Sequence, residues 1–220
     1  MSSADISPLL LTLKLAVIST AFLLVLGTPL AWWLAQTQAR IKIVIDALIT
    51  LPLVLPPTVL GFYLLLFLSS DFLGSIGIGS LAFTFSGLVI GSIIYSLPFV
   101  VQPLQVAFSA IPQNTLDAAA TLRASPLDRF FSIVIPQARG GYFTALILGF
   151  AHTLGEFGVV LMIGGSIPGK TKVLSIAIYE HVEALDYGHA HGLSACLLLM
   201  SFTTLLLVYA FNRRFKLIRS

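Results

Sequence analysis

Five stretches of this chain run for more than about 20 residues with no charged side chain, or with a single one, and that pattern constrains its fold most. They are Leu15 to Ala39, Ala47 to Ser70, Leu81 to Ile111, Gly140 to Gly169 (interrupted by Glu156 alone) and Tyr187 to Asn212. Crossing a bilayer core of about 30 Å takes a helix of about 20 mostly apolar residues, so each window is a candidate span. The sequence is 57% apolar and 10% charged, against about 25% charged in an average soluble domain, so a fully water-exposed surface cannot be built from it. The expected fold is an all-α integral membrane domain over residues 1–220 with five full transmembrane helices. Val173 to Tyr179, bounded by Lys172 and Glu180, is too short to span and is a candidate sixth, partial helix. The single Cys196 excludes a disulfide scaffold, and a net charge of +3 set among apolar runs excludes a nucleic-acid binder.

The basic residues set an orientation. If the spans alternate, nine of the twelve Lys and Arg fall on one side, in the Gln36–Asp46 loop, the Pro112–Arg139 loop and the tail with Arg213, Arg214, Lys216 and Arg219. The positive-inside rule assigns that side to the cytoplasm and the N-terminus to the outside. Met1 to Leu13 lacks a basic n-region and no A-x-A site follows, so the first span is expected to remain rather than be cleaved as a signal peptide. Internal repeats and low-complexity tracts are absent from the sequence.

The one long inside loop, residues 112–136, carries helix-start chemistry twice. Asn114 is placed to cap a first helix with Asp117 at its third position. Ser125 repeats the pattern, with Pro126 at the first helical position, Asp128 at the third and Pro136 as the expected stop. Leu127, Phe130, Phe131 and Val134 fall at i, i+3, i+4 and i+7, an apolar stripe, while Ala118, Ala119 and Ala120 keep the first helix thin. A plain connector is rarely this long and this well capped.

Asp117-Ala118-Ala119, then Arg123, then Ile133 and Ile135-Pro136 resemble the EAA loop of ABC-transporter permeases: Glu-Ala-Ala, three residues, Gly, nine residues, Ile-x-Leu-Pro. The resemblance implies a type I importer permease of the bacterial cytoplasmic (inner) membrane, whose loop docks on an ATP-hydrolysing subunit. On that reading Asp117, Ala118, Ala119, Arg123, Leu127, Phe130 and Phe131 couple the spans to the ATPase. Asp117 replaces the family's Glu, Ile135 its Leu, and Arg123 the Gly of the interhelical turn. If that turn needs φ > 0, Arg pays a steric cost there.

Gly164 to Thr171 matches the nucleotide-binding pattern G-x-x-x-x-G-K-[ST] letter for letter. A working loop of that kind needs an α/β sheet and a second strand with a Mg-binding Asp, for which the distance between flanking spans leaves no room. The same residues, through Ile167-Pro168-Gly169, resemble a loop of molybdate permeases.

Inside the fourth window His152 and Glu156 lie four apart, on one helical face, with Glu156 toward the outer side. An intramembrane carboxylate is functional by default, as a gate or as a scaffold for backbone broken near Gly155 and Gly158. A gate held through hydrogen bonds, with His152 or a backbone N–H as partner, suits a path for anions. Thr153-Leu154-Gly155-Glu156-Phe157-Gly158 resembles a segment shared by molybdate and sulfate permeases. The second window carries Pro52, Pro56 and Pro57 before Thr58, so it must kink or unwind, which places either a substrate-path element or a plain kink there. Leu55 to Tyr63 most resembles molybdate permeases. The path or gate residues are therefore Pro56, Pro57, Thr58, His152, Thr153 and Glu156.

The windows hold no deep Lys or Arg, so tight binding of a dianion must come from elsewhere. The resemblance implies a second copy of the chain, two cytoplasmic ATP-binding subunits holding ATP and Mg, and a periplasmic molybdate-binding protein, with no cofactor on this chain. Glu180, His181, Glu183, His189 and His191 read as a solvated polar face rather than a metal site, since no closed ligand set accompanies them. Sulfate or tungstate import is the alternative within the class. A membrane-embedded enzyme would need a catalytic pair on facing spans, and His152 with Glu156 share one helix.

Overall fold

The computed structural model describes residues 3–70, 75, 77 and 79–217, and every regular element among them is helical. Among the described residues, four helical stretches are long and apolar enough to cross a membrane: Ile6–Gln36, Phe85–Ser109, Pro126–Leu154 and Tyr187–Leu207. The first lies within helix α1 (Ser3–Gln36). The second expected window is not one helix. Helices α2 (Ile41–Val54) and α3 (Pro57–Leu68) meet at 113°, so they make a fifth crossing only as a bent unit. The break in the helix, as distinct from its angle, has a local cause: Leu55 is extended, as the residue before a proline prefers, and neither Pro56 nor Pro57 offers an N–H to continue the ladder.

Helix α4 (Phe85–Ser109) starts at Thr84, whose Oγ1 accepts from the Gly87 N–H at 3.1 Å. It runs through the centre of the molecule, with α1 and α7 (Ile135–Leu154) against it. Leu23, Leu34, Val100, Leu104, Phe108, Val134 and Ala145 are buried between them. Trp32 packs edge-on to Phe108 and Phe130 with ring centroids 5.4 and 5.7 Å apart. By contrast, α10 (Tyr187–Leu217) leaves Leu198, Leu199, Phe202, Leu205 and Leu206 on the outside, as suits a face turned to lipid. Arg219 lies outside the described residues, as do the side chains of Arg213, Arg214 and Lys216.

The 112–136 segment departs from expectation at three points. Helix α5 (Gln113–Thr121) begins one residue before Asn114, after an extended Pro112 that makes no side-chain cap. Asp117 therefore sits beyond the first turn, where its carboxylate accepts from Gln113 Nε2 at 3.0 Å. Helix α6 (Pro126–Arg129) does carry the expected capping box of Ser125 and Asp128. Pro136 does not end it, because a π turn at Phe130–Val134 leads straight into α7. There the Ile135 N–H bonds to Phe130 five residues back. The wider turn accommodates a proline that would otherwise clash with the preceding turn. The extra residue also splits the expected stripe: Phe130 and Val134 turn to the core, while Leu127 and Phe131 stay 69% and 63% exposed.

The fourth window is likewise displaced. Its helix occupies Pro126–Leu154 and stops at Gly155, leaving Glu156 in a short non-helical break. Short α8 (Gly158–Gly164) then packs on α3, and α9 (Leu174–Glu183) leads back to α10. The sixth apolar piece is thus a ten-residue helix, too short to span. The Leu174 N–H donates to Thr12 Oγ1 at 2.7 Å, which fixes the start of α9 to α1.

Candidate functional site

The α2–α3 elbow and the α7–α8 break face one another, and their approach depends on glycine. A Cβ on Gly61 would lie 2.8 Å from Met162 Cβ and 3.1 Å from Val159 Cα, so α3 and α8 touch nearly backbone to backbone. Between elbow and break lies a cavity of about 560 Å³ lined by Pro57, Thr58, Tyr95, His152, Gly155 and Glu156, among others. Four predicted path residues therefore meet in one place. Pro56 and Thr153 are not in its lining; Pro56 forms the elbow and Thr153 is buried, donating to the Gly149 carbonyl at 3.0 Å.

Two rungs tie the end of α7 to α4. Ser92 Oγ donates to Glu156 Oε2 at 2.7 Å, and Ser96 Oγ lies 2.8 Å from His152 Nδ1. Ser92 and Ser96 are one turn apart on α4, and both are completely buried. They were missed in the sequence, where four-residue spacing of two serines in an apolar helix is a weak signal. The expected partner of Glu156, His152 or a backbone N–H, is thus replaced by Ser92. The reason is that Glu156 has left the helix and no longer stacks over His152. Glu156 is 4% exposed, its Oε1 is buried without a hydrogen-bond partner among the described residues, and its carbonyl accepts from Ser175 Oγ of α9 at 2.6 Å.

The His152 ring stacks on Phe99 at 3.9 Å between centroids and tilts against Tyr95 at 4.7 Å. Phe99 also lines a second cleft of about 510 Å³ between α2, α4 and α7, with Leu53, Gln102 and Thr144. The stack therefore stands between two cavities, His152 bordering the first and Phe99 the second. A hydroxyl on an imidazole across two helices is the start of a nucleophile–base pair, but Ser96 is fully buried and also shares its hydroxyl with Thr153 Oγ1 at 3.2 Å. Ser96 lines neither cavity, so its hydroxyl is out of reach of a reacting atom there and the arrangement holds helices together.

In the loop with the nucleotide-like motif, the segment ahead of the glycines is α8, not a strand. Thr171 is fully buried and closes its own loop, donating to the Gly164 carbonyl at 2.7 Å and accepting from the Ile167 N–H at 3.1 Å. Its hydroxyl is occupied, which removes the group such a motif uses for Mg. Glu180 takes an ion pair from Lys172 and a hydrogen bond from Ser166. Burial pushes its carboxyl up, but those donors outweigh it and hold the group below its ordinary range. Glu183 is bonded by Tyr179, which raises that phenol. His181 and His189 instead converge on Asp186.

On the surface formed by α5, α6 and the π turn, Asp117, Ala118, Leu122, Arg123, Leu127 and Phe131 are all exposed, whereas Ala119 and Phe130 are partly buried. Arg123 has φ +61, so the turn does need the left-handed region.

The family model for the binding-protein-dependent transport system inner membrane component matches residues 27–217. The molybdenum transport system permease protein ModB of Azotobacter vinelandii is 55% identical over 98% of this chain and 97% of its own length. A probable sulfate transport system permease protein, cysT of Zygnema circumcarinatum, is 33% identical over 95% of this chain and 73% of its own. Among solved structures, an inward-facing MetNI methionine ABC transporter matches with a TM-score of 0.75 at 17% identity, covering 97% of this chain and 99% of that one. A bacterial alginate ABC transporter in complex with a pentasaccharide-bound periplasmic protein matches at 0.77 and 17%, covering 98% and 80%. Both likenesses bear on the fold, which is that of ABC-transporter membrane subunits.

Proposed function

The chain belongs to the family of binding-protein-dependent transport system inner membrane components, and from that premise we propose that it is the membrane-spanning permease of an ATP-driven molybdate importer. The observation that carries this reading is the 55% identity to a molybdenum permease along nearly the whole of both chains, against 33% to a sulfate permease. The chain works as a pair of copies on two cytoplasmic ATP-binding subunits, which hold ATP and Mg, and receives its anion from a periplasmic binding protein. The N-terminus is outside and the tail cytoplasmic.

The geometry supports a division of labour. Among the described residues, none that lines the Glu156 cavity is Lys or Arg, so the cavity passes a dianion without trapping it. The Ser92–Glu156 and Ser96–His152 rungs, with the His152–Phe99 stack, close the passage between the two cavities. Exposed Leu122, Leu127 and Phe131 around strained Arg123 form the knob that seats in the ATPase and moves α7 directly, because the π turn joins them without a loop.

Uptake by proteoliposomes carrying the assembled complex tests the proposal. Molybdate accumulation that needs ATP and the binding protein, and that a tenfold excess of sulfate leaves mostly intact, is expected. Preferential sulfate uptake would move the chain to the sulfate branch.

A further inference from the structure

The elbow between α9 and α10 brings together three metal-ligating side chains that sequence spacing does not reveal as a set. His181 Nδ1 lies 3.3 Å from Asp186 Oδ2, and His189 Nδ1 lies 2.8 Å from the same oxygen. All three ligand atoms fall within 4.8 Å of one another, and the imidazoles stack at 5.3 Å between centroids. Glu180 and Glu183, which the spacing groups with these histidines, are engaged by Lys172 and Tyr179 instead. Asp186 takes their place because Leu185 adopts φ +59 and reverses the chain, with the Asp186 N–H on the His181 carbonyl at 2.8 Å.

We infer that His181, Asp186 and His189 form a binding site for a divalent transition-metal ion of the zinc, nickel or copper class. Two imidazoles and one carboxylate are the donor set such ions prefer over magnesium or calcium. Around a tetrahedral zinc, ligand atoms at about 2.0–2.2 Å from the metal lie roughly 3.3–3.6 Å apart, and the three present, 3.3 and 2.8 Å from each imidazole to Asp186 and all within 4.8 Å, reach that spacing with small side-chain adjustments. The side chains are 28%, 41% and 56% exposed, so an ion has access and water supplies the remaining position. Once bound, the ion fastens the end of α9 to the start of α10. The site is independent of which anion the chain transports.

Asp186 also caps α10, its Oδ1 accepting from the His189 N–H at 3.3 Å, so a purely structural role must be separated from ligation. Asn caps a helix as well as Asp but is a poor ligand for these ions. The untagged full chain, stripped with chelator and dialysed in detergent, is titrated with Zn(II) and with Co(II), whose visible absorption reports a tetrahedral site. One saturable Zn(II) per chain is expected, with affinity reduced at least tenfold in His181→Gln, His189→Gln and Asp186→Asn and unchanged in His191→Gln. The proposal is overturned by absence of saturable binding in the wild type or by retention of it in the His181→Gln/His189→Gln double variant. Asp186→Asn with wild-type affinity, or an equal loss in His191→Gln, overturns the assigned ligand set.

Discussion

Arg123 shows how much a single residue can disclose. Comparison with the loop's usual glycine raises the question of φ > 0, and the backbone answers it at +61°. A left-handed L-residue costs about 1–2 kcal/mol, partly offset by the about 0.5–1 kcal/mol that glycine loses in chain entropy on folding. Arg123→Gly is therefore expected to raise the stability of the detergent-solubilised chain by up to about 1.5 kcal/mol, read as a higher unfolding midpoint. It should also weaken binding to the proposed ATP-binding subunit, since Arg123 is exposed on the same surface as Leu122 and Leu127. A variant that is no more stable than wild type would place the strain elsewhere. Glu156 makes the complementary case. Removing its carboxylate strands the buried Ser92 hydroxyl, at about 1–3 kcal/mol, whereas an amide oxygen still accepts from it. Glu156→Ala should lower the unfolding midpoint and raise ATP hydrolysis in the absence of substrate, with Glu156→Gln closer to wild type on both. Equal behaviour of the two variants would mean that the rung does not close the gate.

At the scale of elements, charge gaps locate the spans because desolvation of a charge dominates every other local preference in a bilayer. They cannot locate breaks. Three prolines in the second window announce a disturbance, but the 113° angle depends on α8 receiving α3, a contact distant in sequence. The π turn at Phe130–Val134 is equally illegible, since Pro136 ordinarily reads as a stop and the seat of Phe130 against Trp32 and Phe108 is a tertiary contact that local sequence does not announce. Capping chemistry was readable where it is strictly local: Ser125 and Asp128 satisfy one another, while Asn114 loses its place to an extended Pro112. The cavity residues divide the same way, Glu156 and His152 standing out as polar groups in an apolar window and Ser92 and Ser96 not. Because α3 and α8 meet at Gly61, overpacking that contact costs about 1–3 kcal/mol. Gly61→Ala should spread the elbow, lowering the unfolding midpoint and cutting substrate uptake several-fold while leaving binding to the ATP-binding subunit intact. Full uptake in a normally stable Gly61→Ala chain would show that the elbow has slack.

For the whole molecule, the proposed orientation and the proposed coupling stand or fall together, because a knob that docks on an ATP-binding subunit must face the compartment that holds ATP. Nine of twelve basic residues on one side predict that the 112–136 segment is cytoplasmic and the Gly164–Thr171 loop outside. In a Cys196→Ser background, Ser166→Cys should react with an impermeant maleimide on intact cells, and Ser125→Cys only after permeabilisation; the reverse pattern inverts the topology. Granted the orientation, the knob's first helix tests whether contact is steric or ionic. Ala118 lies on its surface, whereas Ala119 is partly buried and a bulky side chain there would disturb the chain's own packing. Asp117 is exposed, satisfied by Gln113, and too far into α5 to serve the helix terminus. Ala118→Trp should therefore hold the ATP-binding subunit off its seat, abolishing stimulated hydrolysis and uptake in a chain that inserts normally. Asp117→Ala should weaken assembly only mildly, because a surface carboxylate bonded to a neighbouring side chain contributes little to either partner. The order of severity decides: assembly that tolerates Ala118→Trp and fails with Asp117→Ala would mean that a carboxylate contact, not close approach of small residues, joins permease to ATPase.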